Sequence, residues 1–331
     1  MTTDYAVRAE AIRKRYGDKH ALDGFDLAVR TGTVHGLLGP NGAGKTTAVR
    51  ALATLLTLDG GRATVAGVDV SRDPRTVRSL IGLTGQYAAV DEILTGRQNL
   101  EMFGRLFHLG GRRAALRAGE LLERFDLVEA GDKGVSGYSG GMRRRLDLAA
   151  SMILAPRVLF LDEPTTGLDP RGRGEVWDAV RALVAGGTTV LLTTQYLDEA
   201  DKLASHITVM DRGRAIADDT PAALKNTVGG DLIEVVVHEA SELAAVAEVI
   251  ARVAGSVPGT DTEARRVHAP VSDRVTALTE VARELRDRGI AVEDIGLRRP
   301  SLDDVFLRLT GHRTEPATAT ATAPRKTEVA A

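Results

Sequence analysis

The segment GPNGAGKT at residues 39–46 constrains the fold of this chain more than any other sequence feature. It matches the pattern G-x-x-x-x-G-K-[ST] and follows the apolar stretch VHGLLG at 34–39. We expect a helix to begin within its GKT end and to run to about Leu56. Glycines let such a loop turn its N–H groups inward, and the helix N-terminus adds positive potential. The segment therefore predicts a phosphate-binding loop between a strand and a helix.

The loop offers both backbone and side-chain ligands. Lys45 has the length to reach the β- and γ-phosphates of a nucleotide, and the Thr46 hydroxyl suits Mg²⁺. A glycine turn that merely caps a helix is the alternative, and the flanking strand and helix disfavour it. The predicted nucleotide-binding residues here are Gly39, Pro40, Asn41, Gly42, Ala43, Gly44, Lys45, Thr46 and Thr47.

A second motif ends the apolar strand VLFLD at 158–162. An aspartate at this strand end, Asp162, can hold Mg²⁺ through water beside the phosphate loop. The next residue, Glu163, can polarise the attacking water as general base. A polar strand end without chemistry is the alternative, which the phosphate loop disfavours. The two motifs together predict an ATPase that binds ATP and Mg²⁺.

The third motif, YSGGM at 138–142, precedes a basic helix predicted over 142–155. Ser139 suits a helix N-cap, and Gly140 and Gly141 permit close backbone approach, so this is a second anion-binding helix end. A separate phosphate-seeking helix end is best explained by a dimer in which each subunit completes the other's site. By itself, Ser-Gly-Gly before a helix is more often a cap alone.

Composition excludes several classes of protein. The chain has no cysteine, which excludes disulfides, thiol catalysis and thiolate metal sites. The formal net charge of -2 gives no broad electrostatic reason to bind nucleic acid. The charged N-terminus does not resemble a signal peptide, and no apolar run approaches the roughly 18–20 residues of a membrane span. We expect a cytosolic chain whose membrane role comes through a partner.

The 331 residues predict two domains and a tail. Apolar strands alternate with helices over 5–220, which indicates a mostly parallel sheet covered on both faces. Residues 222–311 predict a small α+β domain, ferredoxin-like, whose last helix begins with capping-box spacing at Ser301 and Asp304. The tail 314–331 is rich in Pro, Thr and Ala, and we expect it to be disordered.

Within 5–220, the phosphate loop, YSGGM, LDEPTTGLDP and TTQYLDEA occur in the order of ABC transporter nucleotide-binding subunits, which the chain resembles. The resemblance implies a P-loop NTPase fold with a mostly parallel sheet core, an antiparallel N-terminal subdomain and a helical subdomain.

The resemblance also implies roles for three residues. Tyr16 would stack on adenine, unless it is a simple strand-edge tyrosine. Gln86 would contact Mg²⁺, with Thr46 and Asp162, and couple to the membrane partner. Asp169 would lie across a dimer interface.

Two positions depart from that family. Met142 stands where glutamine is usual, a mild change near the expected dimer contact. Gln195 stands where most members have a histidine that contacts the γ-phosphate. A glutamine amide can donate a hydrogen bond but cannot carry positive charge. We therefore assign Gln195 a catalytic role beside Glu163 and expect slow turnover.

Gln195, YSGGM and the segment RRPSLDDVFLRLTG at 298–311 together resemble the daunorubicin/doxorubicin-resistance ATP-binding proteins. This implies an ATPase subunit that exports a hydrophobic drug or secondary metabolite. It would act as a homodimer bound to a separate integral membrane permease, peripheral to the cytoplasmic face of a bacterial plasma membrane. The C-terminal domain has two alternative functions: it would either support the dimer or contact the permease.

Two other functions compete with that of an export ATPase. A soluble ABC ATPase acting on ribosomes or DNA would carry two cassettes or a long coiled-coil insertion, and this chain has neither. A nucleotide-binding regulator that hardly hydrolyses ATP stays open because of Gln195. The run of arginines at 143–145 is expected to be a solvated helix face rather than a nucleic-acid site, since no aromatics are interleaved.

Overall fold

The computed structural model describes residues 4–86, 88–227 and 229–310. These residues divide into two compact units, one ending at Asp219 and the other beginning at Thr220. The predicted disordered tail at 314–331 lies outside the described residues.

An antiparallel sheet of four strands forms one layer of the first unit. Its strands are β1 (Tyr5–Tyr16), β2 (Lys19–Arg30), β4 (Gly60–Val65) and β5 (Val68–Asp69), in the order β2-β1-β4-β5. Apolar residues alternate along β1 and β2, and their inward side chains, such as Ile12 and Phe25, are fully buried. They share one core with Phe160 and Leu191 of the central sheet.

The central sheet has six strands and carries the predicted motifs. Its strands are β3 (Val34–Leu38), β6 (Ile81–Thr84), β7 (Val158–Asp162), β8 (Thr189–Thr194), β9 (His206–Asp211) and β10 (Arg214–Asp219). The order is β10-β9-β3-β8-β7-β6, parallel except for β10. Every residue of β3, β7 and β8 is buried, as expected for parallel strands covered on both faces. The strands' carboxyl ends therefore meet at one edge.

Seven helices complete the first unit as described. They are α1 (Lys45–Leu52), α2 (Pro74–Leu80), α3 (Gly96–Leu106), α4 (Gly111–Arg124), α5 (Gly140–Ser151), α6 (Pro170–Ala185) and α7 (Leu197–Leu203). A capping box between Thr95 and Gln98 starts α3. Helix α1 stops at Leu52, four residues before the predicted end, because Thr54 adopts a left-handed conformation with φ 61°.

The second unit is a β-α-β-β-α-β arrangement flanked by two helices. Its elements are α8 (Pro221–Thr227), β11 (Leu232–Val237), α9 (Leu243–Ala254), β12 (Gly259–Asp261), β13 (Arg266–Pro270), α10 (Arg274–Asp287), β14 (Val292–Arg298) and α11 (Leu302–Thr310). The antiparallel order β12-β13-β11-β14 is that of the predicted ferredoxin-like fold. The Asp304 amide donates to Ser301 Oγ (3.3 Å) and the Ser301 amide to Asp304 Oδ2 (2.8 Å), which is the predicted capping box.

Candidate nucleotide-binding site

The loop at 39–44 joins β3 to α1 and is packed against backbone on two sides. A Cβ atom on Gly39 would lie 2.3 Å from the Met210 carbonyl oxygen, and one on Gly44 would lie 2.4 Å from the Ala21 carbonyl oxygen. Gly44 also has φ 111°, a conformation that other residues rarely adopt. These two positions therefore require glycine, and the loop can present its amides to a phosphate.

The side chain of Lys45 makes two hydrogen bonds and one ion pair at this loop. Its Nζ atom donates to the carbonyl oxygens of Gly39 (2.8 Å) and Pro40 (3.2 Å) and lies 3.6 Å from Glu163 Oε1. Only 4% of the side chain is exposed. Burial lowers the pKa of Lys45, and the nearby carboxylates of Glu163 and Asp162 partly offset this. The lysine ammonium thus lies between the loop and the end of β7.

Asp162 links the phosphate loop to two neighbouring strands. The Thr46 hydroxyl donates to its Oδ1 atom at 3.2 Å, and the Thr193 hydroxyl donates to the same atom at 2.6 Å. The register of β7 and β8 places Asp162 opposite Thr193. Sequence reasoning missed Thr193, because its contact with Asp162 depends on strand pairing across 31 positions.

The donor atoms here suit Mg²⁺, a hard cation that prefers oxygen. Thr46 supplies a hydroxyl and Asp162 a carboxylate. The described residues contain no group of three or more His, Asp or Glu side chains that could hold a metal ion. Magnesium at nucleotide sites is commonly bound by one or two carboxylates together with substrate phosphates and water. The residues present therefore fit a magnesium ion that arrives with a nucleotide.

Glu163 has an unusual backbone conformation for a non-glycine residue, with φ 51°. Its amide donates to the carbonyl oxygen of Thr193 (3.0 Å) and to the Thr193 hydroxyl (3.2 Å), which holds this conformation. The carboxylate is 11% exposed and lies against Lys45. The chain thus turns sharply after β7 and keeps this carboxylate at the site.

Gln195 follows β8 directly and is half-buried. Strand pairing aligns Thr194 with Leu38, the last residue before the phosphate loop, so Gln195 begins at the same sheet edge. The following helix α7 is anchored by Glu199, whose Oε1 accepts a hydrogen bond from Trp177 Nε1 at 3.1 Å. Burial raises the pKa of Glu199. This anchoring fixes the segment in which Gln195 lies.

Tyr16 and Gln86, two further residues assigned to the nucleotide, have fewer contacts. Tyr16 ends β1 with half of its surface exposed, and Lys14 Nζ lies 5.9 Å from the ring centroid. Gln86 is exposed and lies two residues beyond β6, whose Thr84 pairs with Leu161 beside Asp162. Gln86 therefore lies at the same edge of the sheet as Asp162.

Ser139 and Asp169 lie together in a different place. Ser139 Oγ accepts from the Met142 amide (3.1 Å) and caps α5, while Asp169 Oδ1 accepts from the Gly172 amide (2.8 Å) and caps α6. Both line a cavity of about 520 Å³ with Gly140 and Gly141. The walls formed by described residues include none of 39–47. The YSGGM helix end is thus separate from the phosphate loop of its own chain.

The expectation of a solvated helix face at 143–145 is wrong for Arg144 and Arg145, which are 7% and 12% exposed. Arg143 pairs with Glu92 (2.8 Å), and Arg145 donates to the Phe125 carbonyl oxygen (2.9 Å). Arg144 is only 7% exposed and pairs with Asp147. Arg144 and Arg145 therefore hold α5 to its neighbours, whereas Arg143 is partly exposed.

In the parts of the chain that the structure describes, no helix combines the length and apolar character needed to cross a bilayer.

Comparisons with known proteins identify the family of this chain. An ABC transporter family model matches residues 22–166, and a model of the C-terminal domain of DrrA1-3-like ATP-binding proteins matches residues 220–310. The daunorubicin resistance ATP-binding protein DrrA2 of Streptomyces coeruleorubidus is 80% identical over 311 residues, covering 94% of this chain and 97% of that protein. The daunorubicin/doxorubicin resistance ATP-binding protein DrrA of Streptomyces peucetius is 50% identical over 307 residues, covering 93% of each.

Among solved structures, cbiO1 from Clostridium perfringens, part of the ABC transporter complex cbiONQ, matches with a TM-score of 0.63 at 27% identity. The match covers 67% of this chain and 91% of that chain. The fold and its ordered motifs define an ATP-binding subunit of an ABC transporter, which is an ATPase. Within that class, the chain belongs to the family of daunorubicin/doxorubicin resistance ATP-binding proteins. The predicted fold class and resemblance are confirmed, and the relatives do not support a ribosomal or DNA-directed ATPase.

Proposed function

We propose that this chain drives the efflux of a hydrophobic drug or secondary metabolite. It would act as a homodimer bound to a separate integral membrane permease at the cytoplasmic face of a bacterial plasma membrane. The relatives named for daunorubicin resistance support the cargo class, since they match almost the whole chain, including residues 220–310. The observation that carries the ATPase chemistry is the convergence of Lys45, Thr46, Asp162 and Glu163 at one sheet edge.

Nucleotide binding follows from this convergence. The amides of 39–47 and the Lys45 ammonium would bind the phosphates, and Tyr16, with its half-exposed ring, would stack on adenine. Thr46 and Asp162, with Gln86 nearby, would hold Mg²⁺. When bound, magnesium neutralises phosphate charge.

Hydrolysis would use the two remaining residues of the site. Glu163 would accept a proton from the attacking water, which its place beside the phosphate-binding lysine allows. Gln195 would donate a hydrogen bond to the γ-phosphate. Because an amide stabilises developing negative charge less than an imidazolium does, turnover would be slow.

The separation of the two anion sites supports a dimer with composite active sites. Ser139, Gly140, Gly141 and Asp169 share a cavity that does not include the phosphate loop of the same chain. In a dimer, this cavity would face the triphosphate held by the other subunit. Two nucleotides would then be enclosed between the subunits, and their hydrolysis would release the pair.

A second cavity supports contact with a permease. It has a volume of about 250 Å³ and is lined mostly by apolar side chains, among them Leu83, Phe103, Phe107 and Leu154. Phe107 is 47% exposed. Ala89, three residues after Gln86, also lines this groove. A short apolar segment of a permease bound here would lie beside the Gln86 region, so nucleotide state and permease conformation would be coupled.

Purified protein tests the nucleotide assignment directly. Lys45→Ala should weaken MgATP affinity and should lower phosphate release by about 10²–10³-fold, the typical effect on rate of removing one electrostatic donor from such a site. Lys133→Ala, at an exposed lysine outside the site, is the matched control and should match wild type. Wild-type protein without MgATP affinity, or unchanged binding in Lys45→Ala, would contradict the assignment. The cargo class is tested by adding this protein to inverted membrane vesicles that contain a permease and measuring ATP-dependent drug uptake, because export appears as uptake in inverted vesicles.

A further inference from the structure

Helix α5 carries a buried ion pair one turn apart, formed by Arg144 and Asp147. Arg144 Nη1 lies 3.3 Å from Asp147 Oδ2 and donates to the Gly85 carbonyl oxygen at 2.8 Å. Asp147 Oδ1 accepts a hydrogen bond from the Ala89 amide at 2.8 Å. The pair therefore binds the backbone directly before Gln86 and three residues after it.

Burial makes this arrangement difficult to explain as a source of stability. The side chains of Arg144 and Asp147 are only 7% and 4% exposed. Burial lowers the pKa of Arg144 and raises that of Asp147, so both charged forms are disfavoured. Buried ion pairs often stabilise no more than apolar residues of similar volume. In addition, Arg144 Nε and Nη2 are buried with no hydrogen-bond partner among the described residues.

The position of the pair connects two regions of the proposed mechanism. Helix α5 begins at Gly140, directly after Ser139, in the cavity proposed to face the other subunit's triphosphate. Asp147 and Ala89 also line the apolar groove proposed to contact the permease. Arg144 and Asp147 thus connect α5 by hydrogen bonds to the Gln86 region, and Asp147 also forms part of the groove wall.

We propose that Arg144 and Asp147 are positioning residues that fasten the backbone on both sides of Gln86 to α5. A displacement of α5, when its N-terminus binds the triphosphate of the other subunit, then moves Gln86 and the groove with it. This role rests on the proposed function. It needs one nucleotide at the N-terminus of α5, held by the other subunit, and one beside Gln86 in the same chain. Neither Arg144 nor Asp147 is among the residues proposed to bind a nucleotide.

The first test removes the acceptor for Ala89. Asp147→Ala should raise hydrogen–deuterium exchange in a peptide covering residues 85–90 and lower ATP turnover by about tenfold, the size typical of lost supporting contacts around a site. MgATP affinity of the subunit should stay within about twofold, because the phosphate loop lies on other elements. Asp178→Ala is the matched control: Asp178 pairs with Arg181 at a similar spacing but is 78% exposed. Wild-type exchange at 85–90 in Asp147→Ala would overturn the proposal.

The second test separates positioning from folding. Because Asp147→Ala leaves a buried arginine unpaired, it can destabilise the chain. The double variant Arg144→Met/Asp147→Leu replaces the pair with apolar side chains, which should restore the melting temperature but leave exchange at 85–90 high and turnover low. Recovery of turnover in this variant would show that the pair only stabilises the fold and would overturn the proposal. Failure of wild-type protein to bind or hydrolyse MgATP would instead contradict the proposed function.

Discussion

Lys45 Nζ lies 3.6 Å from Glu163 Oε1, and both side chains are largely buried. The cation proposed to bind phosphate and the carboxylate proposed to activate water are therefore direct neighbours. A change of charge at Glu163 should affect nucleotide binding as well as hydrolysis, and in opposite directions.

Glu163→Gln separates these two effects. The substitution keeps the size of the side chain but removes the negative charge next to Lys45, so MgATP should bind at least as tightly as in wild type. Phosphate release should fall by about 10²–10⁴-fold, the usual contribution of a general base. Nucleotide titration and a phosphate-release assay measure the two quantities, with Glu123→Gln, at an exposed helix position, as control. If wild type and Glu163→Gln release phosphate at the same slow rate, the chain does not use Glu163 as a base.

Substitutions at Gln195 test its hydrogen bond to the γ-phosphate. Gln195→His should keep or raise turnover, since imidazole also donates and can carry charge. Gln195→Ala has no donor and should lower turnover by about tenfold or more. Steady-state phosphate release of the three proteins is compared at saturating MgATP. Three equal rates would exclude a role for Gln195 at the γ-phosphate.

His35 gives the first unit a defined response to acid. It lies on β3, 1% exposed, with Nε2 2.8 Å from Thr208 Oγ1 and 3.9 Å from Asp218 Oδ1. The His206 ring is also close, with centroids 5.3 Å apart. Burial lowers the pKa of His35 to about 4, against an opposing effect of Asp218.

The sign of the pH effect follows from this lowered value. Unfolded His35 takes up a proton near pH 6.5 and folded His35 near pH 4, so its stabilising contribution is complete above pH 6.5 and is lost as pH falls towards 4. The free energy of unfolding should change by at most about 1.4 kcal/mol per pH unit through His35. Urea unfolding followed by Trp177, the single tryptophan, reports on this unit at pH 7 and pH 5. His35→Gln should flatten the dependence and His238→Gln, at an exposed position, should not. Equal slopes for His35→Gln and wild type would contradict this prediction.

The segment at 298–310 has a structural function within the second unit. Arg298 donates to both carboxylate oxygens of Asp304 (2.6 and 2.9 Å) and to Glu234 Oε2 (2.6 Å). Burial would raise the pKa of Asp304, but hydrogen bonds from Arg298 and Ser301 outweigh it and bring the pKa to about 2. The ion pair thus ties β14 to α11.

Asp304→Ala should weaken this connection. It leaves the Arg298 guanidinium without its main partner, and breaking a largely buried pair costs about 3 kcal/mol. Hydrogen exchange of β14 in the full-length chain should rise accordingly, while Asp287→Ala, at an exposed helix end, leaves it unchanged. Wild-type exchange in Asp304→Ala would show that the pair does not stabilise the unit.

The parts of the site that sequence could predict are those encoded locally. The phosphate loop needs glycines, a lysine and a hydroxyl within eight residues, and the structure supplies the steric reason at Gly39 and Gly44. The capping box at Ser301 is equally local. The residues of such a motif lie within a few positions of one another, so the motif can be recognised in the sequence even where, as at Gly39 and Gly44, the steric reason is a carbonyl group far away in the chain.

The parts that sequence could not predict depend on distant pairing. Thr193 contacts Asp162 only because β7 and β8 align in one register. Arg144 belongs to a charged run that is typical of an exposed face, and only the packing of α5 shows that it is buried. Strand β12 has only three residues and no alternating apolar pattern, so sequence periodicity does not predict it.

The left-handed backbone conformation of Glu163 sets the stability of the turn after β7 against the presence of a carboxylate there. A residue with a side chain costs about 1 kcal/mol or more in this conformation, whereas glycine adopts it freely. Replacement by glycine would relax the turn after β7 while removing the carboxylate. Glutamate at this turn therefore costs some folding stability and supplies the carboxylate that we propose as general base, whereas glycine would give a more stable turn without that group.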